Sequence, residues 1–461
     1  MKYIIDSREI AYKVDRTKFL GFTIDADQFE GGREESCIWE LDNERIINLC
    51  RELKPATVRL GGSGIKHMYF CDEEGTALKE PFTFTIDREK CDALGEFCRK
   101  IGAGLMLSFS TFSRDVDNAI KLADYFISKR KDTVPFLEFD NEPDWGWGDI
   151  VGEYPDRVKN YYEKMSALFP EQQWIAGYGG RNLPEGICKT DSVDYMQLIE
   201  KCGDFIDVFS SHYYVLSSRR PYTSIELMLS ERAVDIGHAR IYELKKLLSM
   251  QKLDKKIAIN EFNAYANKGK DGITNTMAAA VFLADFIGSL AKNGAYVNNI
   301  QCGFGKQHKE QAFWQYAMID TRDNKIFVNP HYYSFYLWSR MMGSRFVPCY
   351  SSSAHPVCVH AAISDEEENQ LGLIIVNKDM YQSQEVDLQM LSPIEQEFEV
   401  YTLCSDSPTG RSASINGVQA GEDGTMGDIR PRIRKSSFND RIVIDVLPCS
   451  VTLLRVKMAK A

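Results

Sequence analysis

The sequence predicts an α/β protein in which a (β/α)8 (TIM) barrel is followed by a C-terminal antiparallel β-sandwich. Its 461 residues exceed one ordinary domain and suit a barrel-sized domain with a smaller partner. From about residue 17 to residue 335, short β-branched and aromatic runs alternate with longer helix-like segments, as in βα units around a parallel sheet. After about Trp338, short alternating segments separated by Asp, Ser and Gly clusters favour antiparallel strands.

Eight runs are predicted to form the barrel, because eight parallel strands with intervening helices close on themselves. Helical periodicity in ERIINLCREL, CDALGEFCRKIG, VDNAIKLADYFISKR and MAAAVFLADFIGSLAKNG predicts the helices before the second, third, fourth and eighth strands. The predicted strands are residues 19–26, 56–62, 104–110, 136–142, 174–180, 207–214, 256–262 and 298–305.

The domain boundaries are predicted from the same change of pattern. The segment KYIIDSREIAYKV alternates like the C-terminal strands, so we expect it to pair with the sandwich. We therefore predict a barrel over residues 17–337 and a sandwich formed by residues 1–16 together with residues 338–461.

Composition excludes several classes of partner. The formal net charge of −11 argues against nucleic acid or an anionic membrane, since both need clustered Lys and Arg. No apolar run is long enough to span a membrane, and the first residues lack the apolar core of a signal peptide. The twelve cysteines show no CxxC and no zinc-type spacing, which favours reduced thiols in a cytoplasm. If a leader was removed ahead of this sequence, a secreted protein is expected instead.

Two glutamates end predicted strands that face each other across the barrel mouth, where such barrels carry out their chemistry. Glu142 closes the fourth strand in EFDNEPDWGWGD, and Glu261 closes the seventh in IAINEFNAY. Cleavage of a glycosidic bond needs one protonated and one ionised carboxyl group. We predict a retaining glycosidase with Glu142 as acid/base and Glu261 as nucleophile, ~5–5.5 Å apart. The nearby nucleophile and aromatic walls are expected to raise the pKa of Glu142.

Further residues at the strand ends are predicted to bind the substrate. Trp145 and Trp147 follow Glu142 in a Gly-containing loop and are suited to stacking on sugar rings. The other candidates lie at or near the strand ends and are Asp25, Asp27, Arg59, Ser63, Ser108, Asn141, His212, Tyr213, Tyr214, Asn263 and Tyr265. For Asp25 and Arg59, the alternative interpretation is a structural ion pair beneath the site.

These motifs resemble clan A glycoside hydrolases, most closely glycoside hydrolase family 79, which contains heparanase and β-glucuronidases. FLGFTIDA resembles the first strand of that family, ATVRLGGS the second, DNEP the acid/base motif, FSSHYYV the sixth strand and NEFNAY the nucleophile strand. The resemblance covers most of the chain. It implies that Asp25, Ser63 and Asn141 line the subsite of the cleaved sugar, with Asn141 on the 2-hydroxyl. It also implies that Tyr213 or Tyr214 supports the nucleophile.

The resemblance also has implications for the sugar. Family 79 enzymes bind a uronate carboxylate with a tyrosine after the eighth strand, whose position Tyr316 in QYAMID matches, and with a Gly-rich turn after the nucleophile. AYANKGKDG replaces that turn here, and Lys268 or Lys270 is the candidate substitute. EFN and residues 306–314 also resemble families 39 and 51, which contain xylosidases and arabinofuranosidases. The expected substrate is a glycoside or oligosaccharide with a β-linked glucuronic acid. The alternatives are a β-xyloside, an α-L-arabinofuranoside or a β-galactoside.

Two interpretations of another class remain. The first is a non-catalytic carbohydrate-binding protein on the same barrel, which a carboxyl separation beyond about 10 Å or a cavity filled by the Lys268 loop would favour. The second is a metal-dependent hydrolase or lyase. His212, His238 and His308 match no ligand spacing, so no metal and no cofactor are expected.

Overall fold

Eight parallel strands form a closed barrel in the computed structural model, which describes residues 1–71, 78–180, 192–218, 223–306, 316–322, 325–351 and 356–459. Each strand pairs with the next along the chain, and the last pairs with the first. All eight predicted strands are confirmed, with ends shifted by a few residues. His308 and residues 307–314 lie outside the described residues. The strands are Leu20–Asp25, Thr57–Gly61, Gly104–Phe109, Phe136–Phe139, Gln173–Tyr178, Val208–Leu216, Lys256–Tyr265 and Val297–Gln301.

The interior of the barrel changes from apolar to polar along its axis. An apolar layer near the strand beginnings contains Met106, Phe136, Ile175, Val208, Ala258 and Val297. Two residues further along three of these strands lie Ser108, Glu138 and Asn260, all buried. Residues two apart on a strand point to the same face, so this order places polar groups beneath the C-terminal mouth.

Helices surround the barrel and begin at residues suited to capping. The Asn43 side chain accepts the backbone N–H groups of Arg45 and Ile46, and Asp87 accepts that of Lys90. Gly102, with φ 76°, ends the third helix in the left-handed conformation. The helices are Ile38–Asp42, Glu44–Glu52, Arg88–Ile101, Val116–Asp124, Pro143–Gly146, Tyr154–Met165, Ser192–Cys202, Ile225–Met228, Glu231–Met250, Met277–Lys292 and Pro330–Met341.

Several short segments connect the barrel strands and the longer helices. In the described residues they include three 3-10 segments and one π-helical turn, Tyr125–Lys129, which follows the helix Val116–Asp124. Two small sheets lie outside the barrel. The 3-10 segments and small-sheet strands are Ala26–Phe29, Ser63–His67, Gly148–Glu153, Met68–Phe70, Phe84–Ile86, Phe304–Lys306, Ile319–Arg322 and Lys325–Val328.

Two further sheets form the predicted sandwich. The N-terminal strand Lys2–Ile5 joins the smaller sheet, antiparallel to Cys349–Ser351 and parallel to Gln384–Met390. The sandwich therefore contains one parallel pair, while the domain boundaries of the sequence analysis stay a prediction. The smaller sheet is completed by Arg441–Val446, and the larger contains Tyr12–Lys13, Arg345–Phe346, Val357–Ile363, Gln370–Asn377, Ser450–Met458, Ile394–Cys404, Ser414–Ile415 and Arg432–Lys435.

The larger sheet of the sandwich is buried on both faces. In Gln370–Asn377, Leu373 and Ile375 face the smaller sheet, whereas Ile374 and Val376 pack against the core that includes the barrel helices. Successive side chains of a strand point to opposite faces, so a strand that is buried on both faces is apolar at almost every position. None of the described helices combines the length and the apolar character that crossing a membrane requires.

The barrel and the sandwich also meet through a buried ion cluster. Asp285 of helix Met277–Lys292 lies 2.8 Å from the Lys378 ammonium and 3.2 Å from His360 Nε2, both on the sandwich. Burial raises the pKa of Asp285, but the charge of Lys378 and the His360 hydrogen bond outweigh burial, so the pKa lies below its ordinary value. The same carboxylate raises the pKa of Lys378.

Candidate active site

A cavity of about 700 Å³ opens at the C-terminal ends of the barrel strands. This position is where barrels of this type carry their binding loops. Ten of the predicted site residues line the cavity, namely Asp25, Asp27, Ser63, Glu142, Trp145, His212, Tyr214, Glu261, Lys268 and Tyr316. Further lining residues include Lys66, Gly146, Ser217 and Gln301.

The two candidate catalytic glutamates face each other across this cavity. A carboxylate oxygen of Glu142, a ring nitrogen of His212 and a carboxylate oxygen of Glu261 lie within 4.8 Å of one another. Glu142 has a φ of 48°, which is uncommon for a residue with a side chain and directs the end of the fourth strand into the site. The spacing is far below the ~10 Å that would favour a non-catalytic protein, and Lys268 lines the cavity without filling it.

Glu261 is held by one hydrogen bond on each oxygen. The Tyr214 hydroxyl donates to Oε1 at 2.7 Å, and Arg59 donates to Oε2 at 3.0 Å. Burial and the neighbouring Glu261 carboxylate raise the pKa of Tyr214 well above its ordinary value, so the phenol keeps its proton and remains a donor. These contacts fix the orientation of the Glu261 side chain.

Arg59 lies beneath the cavity and is fully buried. Its guanidinium pairs with both oxygens of Glu138 at 2.7 and 3.2 Å, with Glu261, and with Asn141 Oδ1 at 2.8 Å. Arg59 thereby connects the nucleophile to the residue before the acid/base. The alternative ion pair between Asp25 and Arg59 is wrong, because Arg59 pairs with Glu138 and Glu261 instead.

Glu138 is a site-forming residue that sequence reasoning missed. Besides Arg59, Ser108 and Asn260 donate hydrogen bonds to its carboxylate. A signal was present, because Glu138 is an acidic residue inside the otherwise apolar run FLEF. A buried carboxylate in such a run needs a cation beside it.

His212 lies between the two glutamates. Its Nδ1 atom is 2.9 Å from Glu142 Oε1 and 3.7 Å from Glu261 Oε2. Burial lowers the pKa of His212, but the charge of Glu261 and the hydrogen bond with Glu142 outweigh burial and raise the pKa. Burial raises the pKa of Glu142, but the hydrogen bond and charge of His212 outweigh burial, so the pKa is lowered. The predicted rise in the pKa of Glu142 is therefore wrong, because His212 lies within hydrogen-bond distance of the carboxyl group.

The two tryptophans after Glu142 have different environments. Trp145 lines the cavity and is 38% exposed, as a sugar-stacking residue requires. Trp147 is buried, with the Arg157 guanidinium 4.6 Å from its ring centroid and with Phe112 and Tyr154 against its edges. Trp147 therefore packs beneath the loop and does not line the cavity.

Three more predicted binding residues lie outside the cavity lining. Tyr213 points into the helix layer, where its hydroxyl donates to the Ala233 carbonyl and its ring packs on Phe286. The Asn263 side-chain amide donates to the backbone carbonyls of Gln301 and Tyr316 and so connects the two segments that contain these residues. Tyr265, the last residue of the seventh strand, is buried outside the cavity lining.

Asp25 lines the cavity within electrostatic reach of Glu261. Gln301 donates an amide N–H to its carboxylate, and Gly62 leaves room for Asp25, because a Cβ at Gly62 would fall 1.7 Å from Oδ1. Burial raises the pKa of Asp25 well above its ordinary value, and the charges of Asp27 and Glu261 add to the rise. A protonated Asp25 can donate a hydrogen bond to a sugar oxygen.

The turn after the seventh strand differs from the Gly-rich turn of family 79 in sequence, yet adopts left-handed backbone conformations. Asn267, Lys268 and Gly269 have φ values of 59°, 66° and 79°. Ala266, Asn267 and Lys268 border the cavity, whereas Lys270 is not in its lining. Of the two candidate lysines, Lys268 is therefore the one near a bound sugar.

Glu142, His212 and Glu261 are also the one group in the described parts of the chain whose spacing would fit a metal ion. Their donor atoms are already used by one another and by protein cations. Arg59 occupies one oxygen of Glu261, Tyr214 donates to the other, and His212 bonds Glu142. An arginine against a ligand oxygen disfavours a second cation there. The residues do not fit a metal site.

Comparisons with known proteins place this geometry in context. No protein-family model matches the chain. The baicalin-β-D-glucuronidase of Scutellaria baicalensis is 23% identical over an alignment of 388 residues, and the match covers 76% of this chain and 71% of that protein. An α-L-arabinofuranosidase from Thermotoga maritima has a similar structure, with a TM-score of 0.75 and 18% identity. A 4-O-α-L-rhamnosyl-β-D-glucuronidase from Fusarium oxysporum 12S has a TM-score of 0.74 and 13% identity. Both comparisons cover 99% of this chain and 100% of the other.

The fold, the site and the sequence relative together define the class of the protein. It is a glycoside hydrolase with an eight-stranded parallel barrel, a fold that the similar solved structures share. The similar solved structures share this fold although their names give different sugars, so the fold by itself does not select the substrate.

Proposed function

We propose that the protein is a retaining glycosidase in which Glu261 is the nucleophile and Glu142 the acid/base. The observation that carries the proposal is the spacing of the two carboxylates, which have oxygens within 4.8 Å of each other. Retaining enzymes hold their carboxyl groups ~5–5.5 Å apart, whereas inverting enzymes need ~6.5–9.5 Å to admit a water. The roles are assigned from the contacts, because Glu261 accepts hydrogen bonds from Arg59 and Tyr214, whereas Glu142 lies within hydrogen-bond distance of His212.

The reaction proceeds in two displacements. In the first, a Glu261 oxygen bonds to the anomeric carbon while the bond to the leaving oxygen breaks, and Glu142 gives its proton to that oxygen. In the second, Glu142 takes a proton from water, the water oxygen bonds to the anomeric carbon, and Glu261 is released. His212 supports both steps by holding the proton beside Glu142 between turnovers.

The proposed substrate is a β-linked glucuronide. Lys268 and Tyr316 line the same cavity, and a lysine ammonium and a tyrosine hydroxyl are both suitable donors to a uronate carboxylate. The named substrates of the baicalin glucuronidase and of the rhamnosyl-glucuronidase support the same sugar. The raised pKa of Asp25 is compatible with an anionic sugar, because a protonated carboxyl does not repel the uronate.

The second candidate is an α-L-arabinofuranoside. Asp25 and Asp27 both line the cavity, and two carboxylates beside one lysine favour a neutral sugar with several hydroxyl groups whenever Asp25 is ionised. The two candidates thus differ in the charge of the bound sugar, because a uronate is anionic and an arabinofuranoside is neutral.

The test is a screen of p-nitrophenyl β-glucuronide, β-xyloside, β-galactoside, β-glucoside and α-L-arabinofuranoside. Wild type is compared with Glu142→Gln and Glu261→Gln. We expect release from the glucuronide, loss of release in Glu261→Gln, and a Glu142→Gln variant that slows mainly at deglycosylation, because nitrophenolate needs little protonation. Preference for the arabinofuranoside would select the second candidate, and activity retained in Glu261→Gln would refute the assigned nucleophile.

The contribution of Lys268 is tested separately with Lys268→Met and the matched control Lys270→Met. If a uronate is bound, Lys268→Met raises KM for the glucuronide while Lys270→Met leaves KM unchanged. Equal kinetics for the two variants would remove Lys268 from carboxylate recognition.

A further inference from the structure

Lys66 is a buried lysine whose ammonium has no direct partner in the described parts of the chain. It lies in the 3-10 segment Ser63–His67, is only 7% exposed, and borders the catalytic cavity. Among the described residues, the ammonium makes no ion pair and donates no hydrogen bond to a protein acceptor, although its charge acts at longer range on the carboxyl groups of Asp140 and Glu142. Because neither carboxyl group is in contact with the ammonium, a directly bonded partner is expected in the cavity that Lys66 borders.

The backbone of the acid/base loop makes room for Lys66. A Cβ at Gly146 would lie 1.4 Å from the Lys66 nitrogen, so the ammonium occupies the place of a side chain at position 146. Gly146 is four residues after Glu142 and lines the same cavity. The position of the Lys66 charge therefore depends on a glycine at that point of the loop.

The acid/base loop indicates which part of a substrate Lys66 would meet. Glu142 must reach the leaving oxygen, so the wall formed by its loop faces the leaving group, whereas Asp25 lies within electrostatic reach of the nucleophile Glu261 and of Lys268. Burial raises the pKa of Glu142, and the charge of Lys66 is among the influences that oppose the rise, which places the ammonium near the acid/base.

From this arrangement we infer that Lys66 binds an oxyanion, a carboxylate or sulfate, on the leaving group of the substrate. The inference rests on the proposed glycosidase function and adds a preference for acidic leaving groups that is separate from the sugar bound over Glu261. Lys66 is thus a specificity-determining residue, and Gly146 is the residue that positions it.

The experiment compares two leaving groups on one sugar, namely the sugar that wild type hydrolyses best. The 3-carboxyumbelliferyl and 4-methylumbelliferyl glycosides differ in a carboxylate on the leaving group, and kcat/KM is measured for both. The ratio of the two values is compared among wild type, Lys66→Met, Gly146→Ala and Lys79→Met. Lys79 is an exposed lysine outside the cavity lining and serves as the matched control. Comparing ratios between variants cancels the intrinsic reactivity of each leaving group.

We expect the ratio to fall about tenfold in Lys66→Met and in Gly146→Ala, as for loss of a hydrogen bond to a charged group. Lys79→Met should leave the ratio unchanged. An unchanged ratio in Lys66→Met would overturn the inference, while hydrolysis of the neutral glycoside that depends on Glu261 would leave the proposed function intact. If neither glycoside is hydrolysed, the proposed function fails, and fluorescence titration with 3-carboxyumbelliferone decides the anion site. Tighter binding to wild type than to Lys66→Met supports the site, and equal binding overturns it.

Discussion

Two buried ion clusters in this molecule each combine carboxylate, histidine and basic side chains, but the two clusters arrange these groups differently. At the contact between barrel and sandwich, Asp285 pairs with Lys378 and His360. At the barrel mouth, Glu261 pairs with Arg59, and His212 lies between Glu261 and Glu142. The first cluster places one carboxylate between two donors on a regular helix and sheet. The second links two facing carboxylates through an arginine and a histidine and opens into a cavity.

The difference shows in the backbone as well as in the charges. Asp285 lies within a regular helix, whereas Asp140, Glu142, Asn267, Lys268 and Cys302 have positive φ values and occur in segments near the barrel mouth. Such conformations cost free energy and persist where the surrounding structure holds them. We infer that the interface cluster contributes to stability and that the cluster at the mouth is held for chemistry.

The largest expected effect is therefore on activity, from Glu261→Gln. Loss of the nucleophile should lower kcat by about 10³-fold or more, because the covalent step has no substitute. The free energy of unfolding should change by only about 1 kcal/mol, since Arg59 keeps its pair with Glu138. Steady-state kinetics and urea unfolding of the same preparation measure both quantities. A variant that loses activity because it unfolds would contradict the distinction between the two clusters.

Asp285→Asn should show the opposite pattern. Removing one member of a buried pair leaves Lys378 without its carboxylate and should cost about 3 kcal/mol of unfolding free energy at neutral pH. The pKa of Asp285 is lowered in the folded protein, so its contribution is fully present above the ordinary pKa of an aspartate. The contribution is lost as pH falls through the lowered folded pKa.

Urea unfolding of wild type and Asp285→Asn across acidic pH checks this prediction. The stability difference should narrow as pH falls, while kcat of the folded variant at neutral pH stays close to wild type. A difference independent of pH would mean that Asp285 acts through packing and not through its charge.

Some features of the fold could be predicted from the sequence, whereas others could not. The eight barrel strands were predictable because alternating apolar runs and helices report burial directly, as in residues 104–110 and 256–262. The same pattern predicted Glu142 and Glu261 as strand ends, but Glu142 lies three residues after Phe136–Phe139 and Glu261 lies within Lys256–Tyr265, so the strand ends themselves were not predicted accurately. The parallel pairing of Lys2–Ile5 with Gln384–Met390 was not predictable, because the partners are far apart in sequence and alternation does not encode strand direction.

The pKa of Glu142 and the environment of Trp147 depend on residues that are distant in the sequence and come into contact only in the folded protein. The lowered pKa of Glu142 follows from His212, which is 70 residues away, and the environment of Trp147 follows from Arg157 and Tyr154. A sequence motif identifies Glu142 as a candidate acid but contains no information on which cations surround the carboxyl group. Likewise, a loop tryptophan can stack on sugar or pack beneath the loop, and the sequence does not distinguish the two.

The neighbours Tyr213 and Tyr214 provide a sharper comparison within one strand. Tyr214→Phe removes the hydrogen bond to Glu261 Oε1 and should lower kcat/KM by about tenfold or more. Tyr213→Phe removes a hydrogen bond to the Ala233 carbonyl in the helix layer and should cost about 1 kcal/mol of stability with little change in kcat/KM. Kinetics and thermal unfolding of both variants test the assignment. Equal losses of activity would mean that the two faces of the sixth strand are not functionally distinct.

The smallest expected effect is a shift in the pH dependence of kcat/KM in His212→Gln. In wild type, Glu142 and His212 titrate as a pair, and the pair keeps its last proton until the pH exceeds the raised pKa of His212. Without the imidazole, Glu142 holds the proton alone, and a carboxyl group releases its proton at lower pH than an imidazolium. The alkaline limb of the profile should therefore move to lower pH, with Tyr213→Phe as a control whose profile matches wild type. An alkaline limb that stays in place would show that Glu142 keeps the catalytic proton without His212.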